Sequence, residues 1–329
     1  MARLILHVGT HKTATTMVQD RLSTNRKLLA EHGVIYPKLG RHSGHHALLS
    51  DWISLPAGYE VEGGGLAGLE KLAQRYQFTD QTLFLSSEEF SRGGGAGGQV
   101  DMAALRRVFS GFAQVCVICL LRPQWQFLQS VYLEIGRSRI PARPPEIVKT
   151  AIETGMVDGL WCDYKALYKH LRTGFCSNEI SFLGYEQASQ AKGGVLGEVF
   201  KKAQMQISAD RFRPEKKGGS NISPTALPRW AAFTIAGGQS VSPKLQCAVD
   251  AAFAIEFGAE RQNCVFSRTE VADLSRHFKR KNAYLGARIQ AACPDFQLGE
   301  MVPDNTAIYR EDMGGDFWLR AARRIHYSR

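Results

Sequence analysis

Short apolar runs alternate with stretches of helical periodicity along the first half of the chain. Apolar runs of strand length occur at residues 3–8 (RLILHV), 82–86 (TLFLS), 115–121 (VCVICLL) and 179–184 (EISFLG). Such runs are typical of strands that are buried on both faces of a parallel sheet. They predict four parallel strands with helical crossovers between them.

Apolar positions three and four residues apart predict the helices. One is expected over residues 15–31, with Val18, Leu22, Asn25 and Leu29 on one face, and another begins at Pro123, a residue favoured at the first helical position. Helical patterns predominate after about residue 224, at 226–235, 244–256 and 271–280.

This alternation of strand and helix patterns predicts an α/β fold with a central, mainly parallel sheet flanked by helices and a helical C-terminal lobe. We expect a single domain over residues 1–329, with an α/β core at about 1–223 and the lobe at about 224–329. Two glycine-rich stretches, 63–65 and 93–98, are expected to form mobile surface loops.

The amino-acid composition indicates an ordinary globular protein. The chain has 329 residues, of which 44% are hydrophobic and 22% charged, as in ordinary globular proteins. It has no apolar run near the roughly 20 residues that a membrane span needs, and its first apolar run is too short for a signal peptide. Its seven cysteines lack C-x-x-C spacing, which favours reduced thiols over disulfides or zinc. We therefore expect a cytoplasmic protein without a transmembrane segment.

The formal net charge of +10 favours an anionic partner without identifying one. Basic residues are spread along the chain, apart from a C-terminal cluster of Arg320, Arg323, Arg324 and Arg329. The sequence has neither an aromatic RNA-stacking signature nor zinc-finger spacing. Nucleic acid is therefore not an expected partner.

The most informative segment is LILHVGTHKTATTMVQDRL at residues 4–22, which predicts a strand, a short loop and a helix. A loop that enters a helix directs backbone N–H groups and the positive end of the helix dipole at an anion. Lys12 adds a positive charge, and the hydroxyls of Thr13, Thr15 and Thr16 can donate to phosphate oxygens. The sequence therefore predicts a phosphate-binding loop, although a plain turn with a capping threonine shares the same pattern.

The spacing in this loop differs from that of nucleoside triphosphatases, which read G-x-x-x-x-G-K-[ST]. Here Lys12 follows Gly9 by three residues and no glycine precedes it directly. No apolar strand ends in an aspartate suited to hold magnesium. A nucleotide kinase with a degenerate loop remains an alternative.

The loop GTHKTATT resembles the 5'-phosphosulfate loop of sulfotransferases that use 3'-phosphoadenosine 5'-phosphosulfate (PAPS), particularly the bacterial branch that reads H-K-T-G-T-T. The resemblance implies a P-loop-like three-layer fold, PAPS as the donor and no metal. It also implies a set of donor-binding residues, which are Gly9, Thr10, His11, Lys12, Thr13, Ala14, Thr15 and Thr16.

Two further segments extend the resemblance. LLRPQWQFLQSVY at residues 120–132 is similar to the family's 3'-phosphate segment, which implies phosphate binding by Arg122 and Ser130. Independently, an arginine before a helix can grip a phosphate through two hydrogen bonds. RPEKKGGSNISP at 213–224 resembles the loop that the family closes over the nucleotide, which implies contacts from Lys216, Lys217 and Gly218. A solvated turn is the alternative there.

One position departs from the family pattern. Ala14 stands where the family loop most often has glycine. If the backbone there requires a positive φ, alanine costs about 1 kcal/mol or more.

The implied activity is transfer of a sulfuryl group to a hydroxyl or amine, with Lys12 stabilising the leaving phosphate. The acceptor is unidentified; a carbohydrate or glycolipid is preferred because bacterial relatives resemble such enzymes. The segment at about 38–80, with Trp52 and Tyr59, and the loop after Glu89 are expected to line its site. The remaining alternative is an inactive protein that binds polyanions such as sulfated glycans.

A base for the acceptor proton is expected where the second strand ends, in LFLSSEEF. Open α/β sheets bind ligands at the carboxyl ends of their strands, and the family carries a histidine or glutamate near this edge. Glu88 is the first choice and Glu89 the second, unless Glu88 caps the turn or pairs with Arg92. His11 lies beside Lys12 and is a possible helper.

The competing base is a histidine of RHSGHH, where His42, His45 and His46 occur within five residues. We take His45 as the candidate, because histidine needs little adjustment of its pKa to accept a proton near neutral pH. The same cluster is also compatible with metal binding or simple exposure.

Overall fold

The computed structural model describes residues 1–213 and 225–327. The helices are α1 (Thr15–Thr24), α2 (Arg26–Glu31), α3 (Gly65–Tyr76), α4 (Met102–Val108), α5 (Gln124–Ser138), α6 (Pro144–Thr154), α7 (Tyr164–Leu171), α8 (Tyr185–Gln190), α9 (Gly194–Lys202), α10 (Ala226–Ile235), α11 (Pro243–Phe257), α12 (Arg268–Ile289) and α13 (Gly315–Tyr327). The strands are β1 (Arg3–Gly9), β2 (Val34–Ile35), β3 (Thr82–Ser86), β4 (Gln114–Leu121), β5 (Met156–Val157), β6 (Leu160–Trp161), β7 (Ile180–Gly184), β8 (Asn263–Cys264) and β9 (Ile308–Tyr309).

Five strands form a parallel sheet in the order β2-β3-β1-β4-β7. The central strand β1 pairs with β3 from Arg3 opposite Thr82, and with β4 from Arg3 opposite Gln114. The sheet and its flanking helices confirm the predicted α/β fold. All four predicted strands are present in this sheet, whereas its two-residue edge strand β2 was not predicted.

Alternate residues of the central strands enter two separate cores, one on each face of the sheet. In β1, Leu4 and Leu6 pack on one face with the helices α3, α4 and α7, whereas Ile5 packs on the other face with α1, α2 and α9. This burial on both faces explains why the strands are apolar throughout instead of alternating.

The helix predicted over residues 15–31 is two helices, because the chain bends at Asn25. The Asn25 side chain donates to the carbonyl of Arg21 and accepts from the N–H of Arg213. These bonds compete with helix continuation, as short amide side chains commonly do.

The apolar segment ALLSDWISL at residues 47–55 does not form an α-helix. Only a 3-10 turn forms, at His46–Leu49, and Ile53 then pairs with Gly98. Parts of the glycine-rich stretches are packed, whereas Gly63 and Gly95 are exposed. Gly65 begins α3, and a side chain at Gly98 would overlap the carbonyl of Trp52. These glycines therefore permit close approach of backbone segments.

The chain divides into two compact units. The first comprises residues 1–122, 155–219 and 280–299, of which 214–219 are outside the described part, and it contains the parallel sheet. The second comprises residues 123–154, 220–279 and 300–329, of which 220–224 and 328–329 are likewise not described. It is mainly helical, with Leu227, Val249, Phe253 and Phe317 in its own core. The predicted boundary near residue 223 stays a prediction.

Within the described residues, no helix combines the length and the apolar character that crossing a membrane requires.

Candidate functional site

The loop between β1 and α1 is built from three left-handed backbone conformations. Gly9, Lys12 and Ala14 have φ values of 74°, 63° and 60°. A side chain at Gly9 would lie 3.0 Å from Cβ of Glu88 and 3.1 Å from Cγ2 of Thr15. The loop therefore turns tightly and depends on glycine where β1 ends.

Two threonines hold this loop against the sheet. The N–H and the hydroxyl of Thr10 both donate to the carbonyl of Leu120 on β4, each at 2.9 Å. The hydroxyl of Thr13 donates to the carbonyl of Thr10 at 2.6 Å. In this arrangement Thr13 stabilises the loop, and its predicted hydrogen bond to a phosphate oxygen stays a prediction.

The N-terminus of α1 faces the end of this loop. Thr15 is buried, whereas Thr16 is exposed, and the first turn of the helix contains no acidic residue. The leading N–H groups of a helix have no partner within it and carry partial positive charge. An anion at this position would be favoured, as the sequence predicts.

Arg122 joins the end of β4 to the same loop. Its Nη1 donates to the carbonyl of Lys12 at 3.2 Å, and Nη2 lies 3.1 Å from Oε1 of Glu186. The guanidinium also lies over the ring of Tyr185, 4.5 Å from its centroid. These contacts fix a positive charge beside the loop. Ser130, the other residue of the predicted 3'-phosphate pair, is half-buried on α5 in the second unit, and its role stays a prediction.

Glu88 follows β3 and lies next to the loop. One of its oxygens, Oε2, accepts a hydrogen bond from the amide of Gln19 at 2.8 Å and lies 4.0 Å from Nδ1 of His46. Burial raises the pKa of Glu88, but the charges of His46 and His11 and the hydrogen bonds lower it by more. The net pKa is therefore below its ordinary value, and Glu88 is a carboxylate at neutral pH.

Glu89 is bonded to two side chains, those of His11 and Arg92. Its carboxylate lies 3.2 Å from Nε2 of His11 and accepts from Nε of Arg92 at 2.6 Å. Burial opposes ionisation, yet the hydrogen bonds and charges of His11 and Arg92 lower the pKa of Glu89 to about 2. Arg92 donates to Glu89. Among the described contacts, no arginine donates to Glu88.

The three clustered histidines occupy different environments, and the expectation that His45 acts as the base is wrong. His45 is buried, its Nδ1 accepts from the N–H of Ser86, and its Nε2 donates to the carbonyl of Pro37. Burial lowers the pKa of His45 to about 4. With both nitrogens bonded to backbone, His45 fastens its segment to β3 and has no atom free to take a proton.

His46 is the histidine that accompanies Glu88. Its Nδ1 lies 2.8 Å from the hydroxyl of Ser87. A side chain at Gly44 would lie 2.6 Å from Nε2 of His46 and 2.7 Å from the amide of Gln19. Glycine at this position leaves room for both groups that surround Glu88.

These residues line a cavity of about 310 Å³ in the first unit, beside the loop residue Thr16. The two carboxylates, His46 and Arg92 form its polar part, with Leu55 and Pro56 among the apolar lining. Tyr59 also lines the cavity and stacks on His42, with ring centroids 4.0 Å apart and planes 8° apart. The volume suits one small chemical group such as a single ring.

The sequence identified part of this site. Thr16, Glu88 and Glu89 were expected here and line the cavity. Gln19 was missed because a glutamine on a helix carries no signal of its own, and Tyr59 and His42 were named without their contact. Lys216, Lys217 and Gly218 lie outside the described residues. Among those described, no group of three or more His, Cys, Asp or Glu side chains is placed to hold a metal ion.

Comparison with known proteins finds similarity at the level of structure and not of sequence. No family model and no curated protein matches the chain. Among solved structures, the chain is similar to that of a sulfotransferase from Alicyclobacillus acidocaldarius, with 13% sequence identity and a TM-score of 0.39, over 70% of this chain and 91% of that one.

Proposed function

We propose that this protein is a sulfotransferase that moves a sulfuryl group from PAPS to a hydroxyl or amine of an acceptor. The observation that carries the proposal is the position of Glu88 beside the phosphate-type loop, where its Cβ and Cα would lie 3.0 and 3.2 Å from a side chain added at Gly9. A carboxylate at this point can take a proton from an acceptor while the loop holds the transferring group.

The loop and its neighbours supply the chemistry needed at the donor. The N-terminus of α1, with no acidic residue in its first turn, suits the 5'-phosphosulfate. Lys12 provides a positive charge for the leaving phosphate. Arg122, whose Nη1 donates to the carbonyl of Lys12, is the proposed partner of the 3'-phosphate. Charge that develops on the phosphate during transfer is thereby stabilised without a metal ion.

The reaction is an in-line displacement at sulfur. The acceptor oxygen or nitrogen attacks sulfur, and the bond from sulfur to the phosphate oxygen breaks. The electron pair of that bond stays on the phosphate of 3'-phosphoadenosine 5'-phosphate. The acceptor proton passes to Glu88, which is ionised because its pKa lies below the ordinary value.

The cavity lining supports a sugar hydroxyl as acceptor. Tyr59 and His42 form a flat stacked pair, which suits the face of a sugar ring, and Glu88 and Glu89 accept hydrogen bonds from hydroxyls. Trp52, the other aromatic residue predicted for this site, packs instead against the core of the sheet.

The test is release of 3'-phosphoadenosine 5'-phosphate from PAPS in the presence of a panel of sugar acceptors. Glu88→Gln removes the proposed base but keeps the size of the side chain, and we expect the rate to fall about 10²–10⁴-fold. Glu89→Gln is the matched control, because its carboxylate bonds His11 and Arg92; we expect a smaller loss. Equal losses in both variants would contradict the role of Glu88 as the base. No turnover with any acceptor by a protein that binds the product nucleotide would contradict the proposed activity and favour an inactive polyanion-binding protein.

A further inference from the structure

A basic groove lies between α11 and α13 in the second unit. None of its lining residues is named in the catalytic proposal. Its volume is about 590 Å³. Besides small alanine side chains, its lining consists of Lys244, Cys247, Arg320, Arg323, Arg324 and Tyr327. Arg320, Arg323 and Arg324 of the C-terminal cluster, which the proposed transfer reaction does not use, therefore form one wall of a defined groove.

The two walls are held in place by apolar packing beneath them. Val249 and Phe253 of α11 share a core with Phe317 and Ala321 of α13. The rings of Phe257 and Phe317 also lie 6.2 Å apart. Because the helices are fixed by these contacts, the groove exists before any ligand binds.

The charge of the groove is strongly one-sided. Of its described lining residues, four are cations and none is a carboxylate. Nearby, Glu256 pairs with Arg320 at 3.0 Å, and Asp250 accepts from the amide of Gln246. With Glu256 included, the groove still carries a positive net charge, which raises the local concentration of anions.

The arrangement of the cations favours a chain over a flat surface. Lys244 is on one wall and the arginines are on the other, so that an occupant would meet positive charge on two sides. Arg320 and Arg324 are four residues apart on α13, a separation of about 6 Å along the helix axis. A groove for single-stranded nucleic acid needs several stacking aromatic rings, whereas Tyr327 is the aromatic residue among the described lining.

We propose that this groove binds a sulfated polysaccharide as an accessory site. The preference for sulfate groups rests on the proposed function, since sulfuryl transfer to a carbohydrate yields such a chain. Binding at the groove would retain a sulfated chain on the protein, and it requires neither the donor nor the acceptor cavity.

Alkylation of Cys247 can report whether the groove is occupied. It and Cys176 are the exposed free thiols among the described cysteines, and only Cys247 lines the groove. The experiment follows alkylation of both thiols by iodoacetamide, by mass spectrometry, with dextran sulfate as the probe and neutral dextran as its control. With the probe at about nine times its Kd, mass action predicts about tenfold slower alkylation of Cys247 and an unchanged rate at Cys176.

Charge reversal tests which cations are responsible. Lys244→Glu with Arg323→Glu should abolish the protection of Cys247, because both exposed side chains line the groove. Lys149→Glu with Arg276→Glu changes the net charge equally at exposed sites outside the groove and should preserve it. The wild-type result stands even if a variant fails to fold.

Three outcomes would overturn the proposal: no protection of Cys247, equal protection of Cys176, or stronger protection by single-stranded DNA or anionic vesicles than by dextran sulfate. The assay contains no donor. Its failure is therefore distinguishable from failure of the proposed function, which is measured by nucleotide binding and release.

Discussion

Ala14 has a backbone conformation that alanine rarely adopts. Its φ of 60° and ψ of 27° are left-handed, and it immediately precedes α1. A left-handed conformation costs a residue with a side chain roughly 1–2 kcal/mol. The loop is therefore maintained at a local cost, which surrounding bonds such as those of Thr10 to Leu120 offset.

This strain leads to a prediction for Ala14→Gly. Glycine removes the left-handed penalty but adds freedom to the unfolded chain, so the free energy of unfolding should rise by about 0.5–1 kcal/mol net. Urea denaturation measures the change. Ala30→Gly, at an exposed position of the right-handed helix α2, should instead lower stability by about 1 kcal/mol. A fall in stability for Ala14→Gly would contradict the assigned strain.

At the scale of elements, β1, the loop and α1 together form the proposed anion site. Gly9 combines a positive φ with close approach to Glu88 and Thr15, whereas Gly33 has a similar φ of 71° and nothing within 4 Å of an added side chain. An alanine at Gly33 would therefore introduce backbone strain alone, whereas an alanine at Gly9 would introduce both backbone strain and steric overlap.

We expect Gly9→Ala to abolish binding of 3'-phosphoadenosine 5'-phosphate, because the added methyl group displaces Glu88 and Thr15. Gly33→Ala carries the backbone penalty alone, about 1 kcal/mol of stability, and should bind normally. Calorimetric titration of both variants checks this. Normal binding by Gly9→Ala would show that the loop is not the anion site.

The elements themselves were largely predictable, because a strand buried on both faces must be apolar along its whole length. The loop was recognisable because its residues are consecutive. The cavity was not, because Gln19, His46, Tyr59 and Glu88 meet only through tertiary packing. His45 and His46 are adjacent but differ in role, because the ring of His45 is buried whereas His46 lines the cavity. This segment has no regular apolar pattern from which the difference could be predicted.

At the scale of the whole molecule, buried neutral histidines couple stability to pH. Burial lowers the pKa values of His7 and His45 to about 4, from an ordinary value of 6.5. Between about pH 6.5 and 4 the unfolded chain therefore takes up protons that the folded chain does not. Stability should fall as the pH falls through this window, by up to about 3 kcal/mol for each ring.

Unfolding measured between pH 7.5 and 4.5 tests this coupling. His45→Gln keeps a donor for the carbonyl of Pro37 but cannot titrate, so the loss of stability with falling pH should become smaller. His32→Gln, the same substitution at an exposed position, is the matched control. Identical pH dependence in wild type and His45→Gln would contradict the assignment of His45 as a buried neutral ring.

The central claim is that the loop at Gly9 to Thr16 binds the donor nucleotide. Its most direct test is calorimetric titration with 3'-phosphoadenosine 5'-phosphate in the absence of magnesium, comparing wild type with Lys12→Gln and with Lys27→Gln, an exposed lysine of α2. The account predicts micromolar binding, a Kd near 10⁻⁶ M or about −8 kcal/mol, by wild type and Lys27→Gln, and strong weakening by Lys12→Gln. No binding, or displacement of the nucleotide by adenosine triphosphate with magnesium, would contradict it.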